Sequence, residues 1–150
     1  MKEREGALVA ASSRSFTIVA AVAFAAFLRQ SPPALTLGSF EDDYKSTHVI
    51  TAEEWRHGRA ARYRIVKWNV AEQYLIAQND ANNPSDPKLW TRIDWMPLPT
   101  EMAPYTWAFC MSAYKAASAE EAEKAAIARR QTPRTGCNGF PFTRMKEAGK

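Results

Sequence analysis

Four segments of this chain carry a period of two, and that alternation constrains its fold more than any other feature. Tyr63 to Trp68 sets Tyr63, Ile65 and Lys67 against Arg64, Val66 and Trp68. Gln73 to Asn79 reads as a second strand after a tight turn at Val70-Ala71. Leu89 to Met96 sets Trp90, Arg92 and Asp94 against Thr91, Ile93 and Trp95, and Pro97 and Pro99 end it. Tyr105 to Tyr114 is the longest apolar segment and is expected to lie centrally. Such runs are rich in branched and aromatic side chains that fit a pleated, half-buried surface. Short turn-forming loops between them, above all NDANNPSDP, favour an antiparallel meander.

Helical signals are fewer. Thr51-Ala-Glu-Glu54 has the form of a capping box and predicts a short helix through Trp55 that stops at Gly58. Ser118-Ala-Glu-Glu121 is a second box, predicting a helix to about Arg130 that ends before Thr132-Pro133. The expected fold class is mainly β with α: a small antiparallel sheet or partly open barrel with one packed helix, preceded by an N-terminal membrane helix. In this scheme residues 1–30 form the anchor, 31–39 a linker opened by Ser31-Pro32-Pro33, and 40–150 the β-rich domain.

The N-terminal expectation rests on Phe16 to Leu28, an uncharged run bracketed by Arg14 and Arg29. A weakly basic segment ahead of a short apolar one has the form of an export signal. Ala23-Phe24-Ala25 offers a cleavage site, but a cut there leaves the apolar core short. An uncleaved anchor is the preferred alternative; spanning takes roughly 20 residues, so the helix would extend back past Arg14. Phe16, Ile18, Val19, Val22, Phe24, Phe27 and Leu28 would then face lipid. The positive-inside bias places the body outside the cytoplasm.

Export bears on the two cysteines, Cys110 and Cys137. Neither belongs to a CxxC pair or a ligand cluster, and in an oxidising compartment an isolated pair predicts one structural disulfide. Closing that loop would stabilise the fold by about 3 kcal/mol in the chain-entropy model. It would also pin the tail TGCNGFPF to the long apolar strand, so that Phe140 and Phe142 cover a sheet edge or an open end.

Catalytic motifs are missing from the sequence: there is no GxSxG, P-loop, GxGxxG or HExxH. His48 and His57 are the only histidines. With Glu53 they fall short of a metal site, and His57 is expected to serve as a cation at a helix end. Glu41-Asp42-Asp43 suggests a solvated turn or a docking contact for basic residues. Asp80, Asn82 and Asp86 lack the glycine and glutamate of a calcium loop and predict a hairpin connection. The expectation is therefore a protein without catalytic activity, metal or cofactor.

Net charge is +4, and the basic balance is concentrated after Lys124. Five tryptophans stand among arginines, a combination found at protein interfaces and at single-stranded nucleic acid. Export disfavours nucleic acid. Trp90, Trp95, Arg92, Phe140, Phe142 and Arg144 are the candidate partner-binding residues. Alternation sets Trp90 and Trp95 on opposite faces.

At WTRIDWMPL, PYTWAFCMSAY and GCNGFPFTRM, across residues 37–145, the chain resembles a group of small exported bacterial proteins with an aromatic-rich β domain. The resemblance implies a compact extracytoplasmic domain and no catalytic residues. The expected function is an accessory subunit anchored in the bacterial cytoplasmic membrane, whose periplasmic domain stabilises a larger membrane complex, photosynthetic or respiratory. The alternative is a cleaved, secreted or periplasmic, calycin-like domain that binds a small apolar ligand among its tryptophans.

Overall fold

The computed structural model describes residues 30–125 and 128–150. Its strands are β1 (Gly38–Asp42), β2 (Thr47–Ile50), β3 (Glu54–His57), β4 (Ala61–Asn69), β5 (Tyr74–Asn79), β6 (Trp90–Pro97), β7 (Trp107–Ala116) and β8 (Thr143–Glu147). Each pairs antiparallel with the next, and β1 also pairs with β8, so the eight strands close into a barrel.

This corrects the expected fold class. The sheet is neither small nor partly open, and the described residues hold a single α-helix, α1 (Ala119–Glu123). No helix among the described residues is long and apolar enough to cross a membrane. The predicted anchor, with Phe16 to Leu28, lies outside the described residues.

Closure depends on the segments with the weakest signals. β1, β2, β3 and β8 are four or five residues long; β1, β3 and β8 carry charges on their outer faces, and β2 presents Thr47 and Val49 there. Their inward positions are Phe40, His48, Ile50, Trp55 and Met145, all nearly inaccessible. The helix expected from Thr51 is not formed. The Thr51 hydroxyl does accept from the N–H groups of Glu53 and Glu54, as a cap would. The next residues, Trp55 to His57, instead hydrogen-bond between β2 and β4. A side chain that caps a first turn can equally close a β-turn, and burial of Trp55 decides between them.

The second box is real but short. Ser118 accepts from the Glu121 N–H at 3.1 Å, while the Glu121 carboxylate accepts from the Ala117 N–H at 3.2 Å. α1 ends at Glu123, because the Glu123 carbonyl accepts from Arg92 at 2.7 Å, and the chain is not helical again at Ala128–Arg130.

A bulge between Ile65 and Lys67 changes the parity of β4. Ile65 and Trp68 both turn inward as a result, and Lys67 turns out to meet Glu123. One extra residue in a strand does this without breaking the pairing. The strictly alternating assignment of Lys67 to the face of Tyr63 and Ile65 is thereby corrected.

Aromatic side chains fill the interior. Trp55 meets Phe109 at 5.0 Å and Trp107 at 5.9 Å between ring centroids, Phe40 meets Trp107 at 5.2 Å, and Trp68 meets Trp95 at 5.5 Å. All four contacts are edge-on, the arrangement that aligns ring quadrupoles favourably.

The described parts of the connection from β7 to β8, residues 117–125 and 128–142, lie over the outer wall as a strap. Cys110 on β7 and Cys137 on the strap form the expected disulfide. Arg130 donates to the carbonyls of Trp95 (2.9 Å) and Gln73 (2.6 Å) and to Asp94 (3.2 Å). At Gly136 a Cβ would stand 1.9 Å from the Arg129 carbonyl oxygen, so the strap folds back on itself only with glycine there.

Candidate functional site

Among the described residues, two places are candidates for a functional site. One is inside the barrel, where β1, β2 and β3 set Asp42, His48 and His57 so that one ligand atom from each lies within 4.8 Å of the others. His48 Nε2 is 2.9 Å from Asp42 Oδ2, and the Trp55 indole N–H donates to His48 Nδ1 at 3.0 Å. An indole nitrogen can only donate, so the His48 proton is assigned to Nε2 and is given to Asp42. His57 stacks on His48 with ring centroids 4.4 Å apart.

The electrostatics follow from that chain of bonds. Burial and, to a lesser degree, the nearby His57 push the His48 pKa down, against the opposing pull of Asp42. Burial also opposes the charge on Asp42, but bonds from His48 and from the N–H groups of Ser46 and Tyr44 outweigh it and hold its pKa below the ordinary value. Asp42 is thus ionised and His48 neutral at neutral pH.

Such a chain resembles the acid–imidazole part of a catalytic triad, but it ends on an indole N–H with no lone pair for attack. Its two bonds fix the orientation of the His48 ring. Nor does it suit a metal: with Nδ1 already accepting, coordination through Nε2 would require an imidazolate. Glu53 is exposed on the β2–β3 turn. His57 belongs to β3, not to a helix end, which corrects that expectation. Asp42 is buried and bonded, which corrects the solvated turn expected at Glu41–Asp43, while Asp43 and Glu41 pair with Arg144 and Lys146 as the alternative docking contact for basic residues required.

The second place is a groove of about 650 Å³ on the outer wall, between the β1–β2 turn, the β6–β7 loop and the strap. Leu98, Met102, Ala108 and Phe142 form its floor, and Pro133 and Pro141 its strap side. Tyr44, 73% exposed, stands at its rim. Asp43 and Arg144 line it as a pair, with guanidinium donors 2.9 and 3.0 Å from Asp43 Oδ1. Those bonds raise the Arg144 pKa, and the guanidinium also lies over the Tyr105 ring at 4.4 Å. Arg134 is the third charged group of the lining.

The six candidate partner-binding residues are dispersed. Phe142 and Arg144 meet at the groove. Phe140, two residues before Phe142, is 72% exposed and covers nothing; with the barrel closed there is no sheet edge to cover, and Phe142 packs on Ala108 and Cys110. Trp95 lies in the barrel core. Trp90 is on the opposite face, as alternation requires, half-buried between β6 and α1. Arg92 is buried beneath the strap in an ion pair with Asp94.

Leu98 and Met102 were not singled out by sequence; Asp43 entered only within the acidic run Glu41-Asp42-Asp43, and Arg134 only within the basic end after Lys124. They lie on turns and loops, and only closure and the disulfide bring them together. No family model, no curated protein and no solved structure matches this chain.

Proposed function

We propose that this chain is a non-catalytic binding domain in which the filled barrel is a rigid scaffold and the outer groove takes a small apolar ligand. One contrast carries the proposal. Side chains of the barrel core are 0–7% exposed and packed on one another, whereas the groove is open and largely apolar. Its volume falls in the range of about 300–1,000 Å³ common for small-molecule sites. The tryptophans give the barrel its rigidity and leave ligand contact to the strap side.

Titration with the neutral fluorescent probe N-phenyl-1-naphthylamine tests this. One probe per chain is expected, with loss of binding in Met102→Asp at an unchanged unfolding midpoint. A probe signal indifferent to that substitution would count against the groove.

A second reading, an accessory subunit of a membrane complex, is favoured by Tyr44 and Phe140, two large side chains more than 70% exposed. Aromatics in the open are common anchors at interfaces. Here the groove and its rim would receive a neighbouring subunit, and the predicted N-terminal anchor would hold the domain beside it.

A further inference from the structure

We infer that the groove's ligand is a single-chain amphiphile ending in one anionic group, a long-chain carboxylate, and that Arg134 pairs with that group. The inference rests on the proposed ligand-binding role of the groove and adds the chemical class of the ligand.

The charges of the lining set the head group. Asp43 and Arg144 neutralise each other, and Arg144 is further immobilised on Tyr105. Arg134 has no ion-pair partner among the described residues and is exposed. One uncommitted cation therefore stands beside an apolar wall. A guanidinium presents its donors as a planar fork that fits a carboxylate, and a single cation calls for a single negative charge.

The backbone of the lining sets the body of the ligand. The N–H of Leu98 goes to Thr106, that of Met102 to Pro99, that of Phe142 to Pro133, and that of Arg144 to the Asp43 carboxylate. Pro133 and Pro141 have no N–H to offer. The barrel is closed, so no unpaired strand edge borders the groove. An extended peptide laid here would find no strand ladder for its own carbonyls and amides, which is costly against an apolar surface. An alkyl chain has no such groups. Met102, unbranched and adaptable, can follow its contour.

The test is isothermal titration of the full chain with laurate and with 1-dodecanol, each below the concentration at which it self-associates. One laurate per chain is expected, with dodecanol about tenfold weaker, the worth of a partly exposed charge-assisted bond. Arg134→Gln should bring laurate down to the dodecanol level and leave dodecanol unchanged. Met102→Asp should remove both. Equal affinity of laurate and dodecanol, or an Arg134→Gln variant that binds laurate as before, overturns the anionic head group while the groove stands. No Met102-dependent binding of either ligand overturns the groove as well. Flotation with phosphatidylglycerol vesicles in the absence of laurate binding overturns the inference in favour of a bilayer lipid. Binding of a hydrophobic peptide in place of laurate does so in favour of a protein partner.

Discussion

Replacing Asp94 by alanine is expected to destabilise the protein by about 3–5 kcal/mol, the usual cost of breaking a buried ion pair from one side. Asp94 is fully buried on the outer wall and receives four side-chain donors. Arg92 gives two, at 3.0 and 3.1 Å, Arg130 gives one at 3.2 Å, and the Ser112 hydroxyl gives the fourth. The Arg92 side chain is 4% exposed and lies 4.0 Å over the Tyr74 ring, so it cannot swing into water when its partner is removed. Arg130 ties the strap to the barrel, and a loosened Arg130 would loosen the strap with it.

Chemical denaturation of the single variant measures that cost. The double variant Arg92→Met with Asp94→Leu should recover part of the loss, because it removes the orphaned charge together with its partner. If the double variant is no better than Asp94→Ala, the two side chains are not coupled. If Asp94→Ala costs under about 1 kcal/mol, the network contributes no more than an exposed pair would.

Legibility in the sequence divides along physical lines. β5, β6 and β7 were readable because each is buried enough to force a pattern, and the opposite facing of Trp90 and Trp95 followed from parity alone. The disulfide was readable because only two cysteines exist. Closure was not, since Thr143–Glu147 is a polar segment whose one deeply buried residue, Met145, gains meaning only when Trp107 and Asp42 flank it.

The Asp42–His48 bond had a signal that adjacency hid. Read as a run, Glu41-Asp42-Asp43 suggests a solvated turn. Read by parity, Phe40 and Asp42 share a face, His48 and Ile50 share the next, and Trp55 and His57 the third. One residue of each set, Asp42, His48 and His57, flanks one end of the apolar layer. The groove had no comparable signal, because its residues come from the β1–β2 turn, the β6–β7 loop, β7, the strap and β8, and no periodicity connects them.

Acid should weaken this protein from about pH 6.5 downward, and Trp55→Phe should blunt that dependence while lowering stability overall. Folding depresses the His48 pKa below its ordinary 6.5, so as pH falls the unfolded chain takes up a proton before the native one does. The contribution of His48 is therefore complete above about 6.5 and is lost progressively as pH drops toward its lowered native value. Asp42, also depressed, adds a second loss below its ordinary 3.8.

Protonating His48 in the native state would place a second N–H against the Trp55 N–H, donor facing donor. Phenylalanine at position 55 keeps most of the ring contacts and removes that conflict, so native His48 can accept a proton at a higher pH. The variant should lose about 2–4 kcal/mol at pH 8, from a smaller side chain and a missing hydrogen bond. The gap from the parent protein should then narrow between pH 8 and pH 5. Urea midpoints at the two pH values report both effects. His48→Gln, which cannot titrate, should flatten the same window. A His48→Gln variant that retains the parent slope would assign the acid response to other groups, and a Trp55→Phe variant with an unchanged slope would show that the indole N–H does not control the imidazole.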